Sequence, residues 1–430
     1  MTEPLPAIQS GLIRWTCPFC VLLCDNLRVR VGASLELAEG ECESARAGLA
    51  RFPATPSNAK PQVGGRDCEL ADAVAAAAAI LVASGQPLFG GLGTDVAGAR
   101  ALYRLACATG AICDPADDGA LMRGVRALQD RGGFSATLAE VRTRADLIVC
   151  LDGLPTGDAA EFFARAGVGE SVVPQRHVML LGGTAADVAA LAALGGRGGV
   201  TTEAVPLQGD LFSTVALLSA LVARRAVRDG PAALAALAER LREARYAVIV
   251  GQTGRLPAQG ELIIEMVGRI VGTLNTGQRA AAMWLGGGNG AGTVNEVFTW
   301  LSGLPLRSRA GPSGLEHEPL CFDTPRLLAD GAVDSLLWVS SFDATCAPPA
   351  TRLPLILLGH PGLAPLASRS GGAFIPVSTP GIGSTGHLFR ADGGVLLPLD
   401  SLYRDTLPTL DRVLADLLLG VQALRARSAA

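Results

Sequence analysis

The sequence predicts an α/β protein built on doubly wound parallel sheets and preceded by a cysteine-rich cap. Apolar runs of strand length, such as DLIVCL (146–151), YAVIVG (246–251) and SLLWVS (335–340), alternate with helix-length segments. That alternation buries a parallel sheet between two layers of helix. Several runs end in glycine, as in GGLGTD, GGT and GGGNGAG. Ahead of them all stand Cys17, Cys20, Cys24 and Cys42.

Composition narrows the function. The chain has 430 residues, a length typical of two or three domains. Apolar residues make up 49% and charged residues 18%, which excludes disorder. A net charge of −4 and an aromatic content of 4% argue against binding nucleic acid by counterion release or base stacking. The charge content lies below the ~25% usual for globular proteins and suits a surface partly covered by other subunits. Compositional drift is the other explanation, since Lys60 is the only lysine beside 35 arginines. Residues 1–16 lack the basic and apolar regions of a leader, and no apolar run approaches the ~20 residues of a membrane span. A cytoplasmic protein with no membrane partner is expected, its cysteines thiols or metal ligands and not disulfides.

The elements follow in order. Residues 15–50 wrap the cysteines around a strand pair, 27–31 and 34–37. Residues 52–65, with Pro53, Pro56 and Pro61 and no periodic apolar face, read as a linker. An Ala-rich helix (70–84) precedes a buried strand (86–93), a helix (96–110) and a strand (111–114). Residues 138–143 are helical, 146–151 and 177–181 are strands, and a helix runs on through Leu194. Two amphipathic helices (210–225 and 231–244) meet at Asp229-Gly230. A strand (246–251), a long helix (260–274) and a strand (280–285) lead into GGGNGAG, followed by a helix at 295–301. Strands at 335–340, 353–358 and 374–377 and a helix at 411–425 complete the chain. The expected domains are a cap (1–51), a first α/β lobe (66–205) and a second (206–430).

The cysteines are spaced C-x2-C-x3-C-x17-C. Three thiolates within eight residues converge only if the backbone wraps one centre, and the fourth arrives from a second loop. Four thiolates suit an iron–sulfur cluster or zinc. A tight triplet with a remote single fits a 4Fe–4S cluster better than zinc, which usually takes two tight pairs. Unligated buried thiols are the third reading. Cys68, Cys107, Cys113, Cys150, Cys321 and Cys346 stand singly in apolar segments and read as core.

The string TCPFCVLLCDNLRVRV, followed by Cys42, resembles the amino terminus of the B subunits of formylmethanofuran dehydrogenase, a family of the molybdopterin oxidoreductase superfamily. The resemblance continues through FGGLGTDVAGARALYRLACATGAICD, RADLIVCLDGLP, the segment from QGELIIEMVGRIVG to FTWLSGLPLR, and GSTGHLFRADGGVLLPL. It implies a multi-domain molybdopterin-oxidoreductase-like fold. Two departures stand out. Where the family places its metal-binding cysteine, Asp117-Asp118-Gly119-Ala120-Leu121-Met122 offers no Cys, His or Ser, and the nearby Cys113 is inside a strand. Where the family carries an acid and an arginine at a strand end, the strand 177–181 runs into Gly182-Gly183-Thr184. Molybdopterin or tungstopterin is therefore not expected.

The glycine-rich turns at 90–95 and 286–292 could bring a phosphate against backbone N–H groups, but plain turns are the favoured reading. His177, His317, His360 and His387 have no partner at metal-ligand spacing. Asp117-Asp118 and Glu316-His317-Glu318 read as solvated loops, and no catalytic residue is identified. The resemblance is nearest to the B subunits of the bacterial formyltransferase/hydrolase complex. It implies a structural, non-redox component alongside amidohydrolase-like and formyltransferase-like subunits, in tetrahydromethanopterin-dependent oxidation of formaldehyde to formate. An active molybdenum or tungsten dehydrogenase subunit and an iron–sulfur electron-transfer subunit are the alternatives.

Overall fold

The computed structural model describes residues 11–53, 57–116, 120–228, 230–367 and 372–429. Asp117, Asp118, Pro56 and Asp229, singled out in the sequence, lie outside the described residues. The chain divides into two units. One comprises residues 1–119, 287–390 and 396–430, the other residues 120–286 and 391–395.

The second unit is a five-stranded parallel sheet in the order Val200–Val205, Arg176–Leu181, Leu147–Leu151, Tyr246–Gln252, Arg279–Leu285. Numbered within the unit, that order is 3-2-1-4-5, a doubly wound arrangement whose direction reverses between the first and fourth strands. Leu147–Leu151 is buried at every position, as a central parallel strand covered on both faces must be. Its Leu147 and Val149 share a core with Ile249, Val267, Leu218 and Leu237. Helix Leu211–Val222 begins where the Asp210 carboxylate accepts the Ser213 amide at 2.6 Å, satisfying one orphan donor of its first turn.

In the first unit a nine-stranded sheet runs Gly314–His317, Ser308–Gly311, Ile112–Cys113, Pro87–Gly93, Ser335–Ser340, Leu355–Gly359, Ala373–Pro376, Gln62–Val63, Arg66–Asp67. Its five middle strands are parallel, and an antiparallel hairpin extends each edge. The closing helix Leu410–Ala429 buries Leu410, Val413, Leu414, Leu417 and Val421, one stripe at helical spacing, against helices Leu70–Ala83 and Val96–Thr109. No helix of the described residues is long and apolar enough to cross a membrane.

The α/β class and its parallel sheets agree with expectation, but the division of the chain does not. A boundary at 205/206 falls inside the second unit, which is inserted into the first. Strands 87–93 and 112–113 begin a sheet whose other parallel strands arrive only after residue 334, so reading the chain consecutively assigns them to different lobes. Part of the supposed linker pairs too: Gln62–Val63 lies antiparallel to Ala373–Pro376. Among the elements that escaped the sequence reading are strands Leu12–Trp15 and Val200–Val205, the hairpin Ser308–Gly311/Gly314–His317, and helix Ala120–Arg131. Val200–Val205 is an edge strand with partly exposed Thr201, Thr202 and Glu203, so it has no continuous apolar run.

Arg176 shows how the second unit is tied together. Its guanidinium is buried and donates to the carbonyls of Ala145, Ala166, Val141 and Arg142 at 2.7–3.2 Å. These acceptors lie at the ends of helices Leu138–Arg144 and Phe162–Arg165. Removing the donor leaves them desolvated and unpaired. Arg176→Met is expected to destabilise the second unit by about 3–5 kcal/mol, read from the midpoint of its denaturant transition.

Candidate functional site

Within the first unit, Leu12–Trp15, Leu27–Val31 and Leu35–Glu39 form a small antiparallel sheet. Cys17, Cys20 and Cys24 occupy the loop between its first two strands. That loop closes on itself: the Cys17 amide donates to the Cys24 carbonyl at 3.0 Å, and the Leu23 amide to that of Cys20 at 3.4 Å. Leu23 adopts φ +44°, a left-handed conformation uncommon for a side chain of this size. Cys42 is the N-cap of helix Glu43–Leu49, its Sγ accepting the Ala45 amide at 3.4 Å. All four cysteines are at most 5% exposed. An aromatic row flanks them: Phe19 lies 5.9 Å from Trp15 and 5.8 Å from Phe52, which meets His360 edge-on at 4.8 Å. Trp15 is pinned by its indole N–H to the Gly381 carbonyl at 2.6 Å. Gly48 leaves the space that the Phe19 ring occupies.

Burial pushes the Cys17 thiol well above its ordinary value, and the neighbouring Cys20 and Cys42 push it further. The Cys17 thiol is therefore protonated at neutral pH, so a metal would have to displace its proton to bind. The donor chemistry fits a thiolate-bound centre, and an amide directed at a cysteine sulfur suits such a ligand. The convergence does not fit. Among the described residues no group of three or more His, Cys, Asp or Glu side chains is placed to hold a metal ion. No chemical step is derived through a cluster or a pterin.

The remaining cysteines divide. Cys113 and Cys150 are fully buried, and burial raises both thiols, Cys150 to about 12. Cys107 and Cys321 are exposed, contrary to the expected core packing. Cys107 falls on the solvent side of helix Val96–Thr109, two positions beyond the buried Leu105, and Cys321 lies in the loop before helix Thr324–Ala329.

In doubly wound sheets ligands bind at the carboxyl ends of the strands beside the reversal point. In the second unit that place holds Asp152, Gly153 and Arg255. The Arg255 guanidinium lies where a side chain on Gly153 would stand. It donates to the Leu154 carbonyl at 3.1 Å and pairs with Asp187 at 3.5 Å. Burial raises the Asp187 carboxyl, but hydrogen bonds from Thr184 and Leu154, with Arg255 beside it, outweigh burial and hold it near 2. An acid and an arginine thus do stand by the strand end that read as lacking both. The sequence reading missed them because Asp187 is three residues beyond Thr184, as the partner in its helix-capping box, and Arg255 comes from another loop. Both are engaged with the protein itself. Ala120–Met122, the described part of the missing-ligand stretch, opens a helix in which Met122 is buried.

In the first unit the two glycine-rich turns pack on each other. A Cβ on Gly93 would stand 2.8 Å from the Asn289 carbonyl, and one on Gly290 2.5 Å from that of Thr94. Gly290 (φ +77°) leads into helix Ala291–Ser302. The glycines serve close backbone approach and the turn itself, in keeping with plain turns. Gly90 and Gly91, however, lie within strand Pro87–Gly93.

The histidines are scattered. His177 Nε2 accepts from Arg240 at 2.6 Å, His317 Nδ1 lies 3.0 Å from the Arg307 carbonyl, and His387 is exposed. Glu316 and His317 belong to a strand and not to a loop, and Glu316 pairs with Arg309 at 2.7 Å.

Two doubly wound parallel sheets, with Arg255 and Asp187 paired at the strand ends of the second, define a protein of the doubly wound α/β class. No protein-family model matches the chain. Over 326 residues, 75% of this chain and 86% of the relative, it is 31% identical to the B subunit of the formyltransferase/hydrolase complex Fhc of Methylorubrum extorquens. The crystal structure of the formyltransferase/hydrolase complex FhcABCD from the same organism, in complex with methylofuran, contains a similar chain. The TM-score is 0.73 at 27% identity, covering 86% of this chain and all of that one. The chain belongs to the family of formyltransferase/hydrolase complex B subunits.

His360 gives the site a pH signature. It is buried, and its Nδ1 accepts the Gly362 amide at 2.9 Å. Burial lowers its pKa to about 4, with Asp343 pulling the other way. A histidine depressed on folding contributes its stability above the unfolded pKa of about 6.5 and loses it as pH falls through 4. Unfolding free energy is expected to fall by up to about 3 kcal/mol over that window. In His360→Gln this part of the slope should vanish, as measured by denaturant titration at each pH.

Proposed function

We propose that the chain is the structural, non-redox B subunit of a formyltransferase/hydrolase complex, acting in tetrahydromethanopterin-dependent oxidation of formaldehyde to formate. Its partners are then amidohydrolase-like and formyltransferase-like subunits. The observation that carries this reading is the match to the Fhc relative over three quarters of the chain, supported by the likeness to all of the corresponding chain in the solved complex. The strand end of the second unit agrees with it, since Arg255 and Asp187 are held by each other and by neighbours within that unit. A molybdopterin-oxidoreductase-like ancestry is part of the same proposal, supported by two doubly wound sheets and a four-cysteine cap.

Omitting the chain from the reconstituted complex should abolish assembly and formyl transfer. In the assembled complex, His360→Gln and His387→Gln should each leave hydrolase turnover within a factor of about three, less than ~1 kcal/mol of barrier. A hundredfold loss from either, with assembly intact, would show that this chain takes part in the chemistry.

The 4Fe–4S cluster on Cys17, Cys20, Cys24 and Cys42 belongs here as a proposal. It is supported by four buried thiols and by the amide directed at Cys42, and it requires the sulfurs to draw together. Anaerobically purified protein should then contain about four irons and show broad thiolate-to-iron absorbance. Cys20→Ser should lose both and Cys107→Ser neither. Colourless, iron-free protein would leave the four as structural thiols.

A further inference from the structure

We propose that a cavity at the carboxyl ends of strands Leu355–Gly359 and Ala373–Pro376, walled by His360, Phe52 and Asp405, binds a small neutral amide. The inference stands on the first unit alone and does not depend on the subunit reading above.

In the first unit the order of the parallel strands reverses between Pro87–Gly93 and Ser335–Ser340. That crevice, where doubly wound sheets take ligands, is occupied by the chain's own turn at 286–292. Gly290 abuts Thr94 there, and Asn289 donates to Ser340 Oγ at 3.3 Å. Space lies further along the sheet. His360 directly follows Leu355–Gly359, Val377 directly follows Ala373–Pro376, and both line a cavity of about 50 Å³. Phe52 and Ile382 add apolar wall, and Tyr403 and Asp405 reach it from the segment ahead of the closing helix.

His360 is the group that calls for a ligand. The Gly362 amide donates to its Nδ1 at 2.9 Å, so Nδ1 presents a lone pair. Burial keeps the ring neutral at pH 7, and its one N–H is therefore at Nε2. Nε2 is buried and has no hydrogen-bond partner among the described residues. A buried donor in that state is destabilising. The Phe52 ring, edge-on at 4.8 Å, is at most a weak acceptor for it.

The walls select the occupant. The Nε2–H requires an oxygen acceptor. Oδ1 of Asp405 accepts the Thr406 and Leu407 amides at 2.8 and 3.3 Å, which leaves Oδ2 to take a donor. A cation beside His360 would meet a donor, and an anion beside Asp405 would meet a carboxylate, so a charge of either sign is poorly paired. The volume admits about four water-sized groups. Water needs two to four polar partners at each position, and Phe52, Val377 and Ile382 offer it none. A carbonyl oxygen and an N–H on one short, uncharged carbon skeleton meet all of these conditions.

The test titrates acetamide, and separately acetate of nearly the same shape, into the full-length chain carrying heavy-nitrogen histidine. The Nε2 resonance of His360, assigned by its loss in His360→Gln, should move saturably with acetamide. A Kd of about a millimolar is expected for so small a molecule. The resonances of His177, His317 and His387 should stay in place, and acetate should bind at least tenfold more weakly. Ser57→Leu, which fills the cavity from a partly exposed wall, should abolish the shift while the free chain melts as before. In the subunit reading formyl chemistry belongs to the partners, so binding is the readout and not turnover. A His360 resonance that acetamide does not move overturns the inference. So does an equal shift of all four histidines, which is a solvent effect, or a shift that persists in Ser57→Leu. Equal binding of acetate overturns the neutral class, and a crystal soaked in acetamide that shows only water in the cavity overturns the ligand.

Discussion

The first unit depends on one pairing, that of strand Pro87–Gly93 with strand Ser335–Ser340. The two lie side by side in parallel although the whole second unit intervenes in sequence. The contact is possible because Gly90 and Gly91 have no side chains. A Cβ on Gly90 would stand 2.8 Å from the Trp338 ring, and one on Gly91 2.6 Å from the Val339 carbonyl. Gly91 is also at φ +75°, where a side chain would be strained. The register shifts at this point, between Trp338 and Ser340, so the glycines let the strands stay in contact across an irregularity. Trp338 is then held from its other end, its indole N–H donating to the Cys346 carbonyl at 2.9 Å. Further strands add outward from this pair, and the segment after Ala373–Pro376 supplies the Gly381 carbonyl that pins Trp15 and, with it, the cap. Closing so long a loop is entropically unfavourable, and non-local parallel pairing of this kind makes for slow folding.

Much of the secondary structure is legible in the sequence, because a parallel strand buried on both faces must be an unbroken apolar run. LIVCL, YAVIVG and SLLWVS meet that condition in full. Legibility fails where burial is one-sided or brief. Val200–Val205 carries Thr201, Thr202 and Glu203 in a row because it is an edge, and Ile112–Cys113 and Gln62–Val63 are two residues each. The insertion was illegible for another reason: local periodicity says that a strand exists but not which sheet it joins. Both units wind alike, so nothing in the pattern marks the passage from one to the other.

The candidate site was legible as chemistry and illegible as geometry. The spacing of Cys17, Cys20, Cys24 and Cys42 announces four thiols on two segments, and all four are buried. Spacing does not say how closely the sulfurs approach. Here Cys42 is fixed by its role as helix cap, and the triplet by the hydrogen bond from Cys17 to Cys24. The Asp187–Arg255 pair was hidden for the complementary reason. Its members are 68 residues apart and meet only because a doubly wound sheet gathers its loops at one end.

A buried charge network fixes the base of the hairpin Ser308–Gly311/Gly314–His317. Arg307, 7% exposed and at φ +61°, donates to Asp114 at 2.8 Å, to Asp323 at 2.6 Å and to the Pro319 carbonyl at 2.6 Å. The second oxygen of Asp114 accepts the Thr324 amide at 2.9 Å. Burial pushes the Asp114 carboxyl up, and Arg307 and the hydrogen bonds from Thr324 oppose it. A network of this kind adds little stability over an apolar substitute, because desolvation offsets most of the attraction. What it supplies is direction. Each guanidinium nitrogen of Arg307 has an acceptor, and those acceptors lie on both sides of the hairpin in sequence, so the network ties its two ends together. The base of the hairpin 308–317 is therefore held by an Arg307–Asp114 pair that solvent hardly reaches.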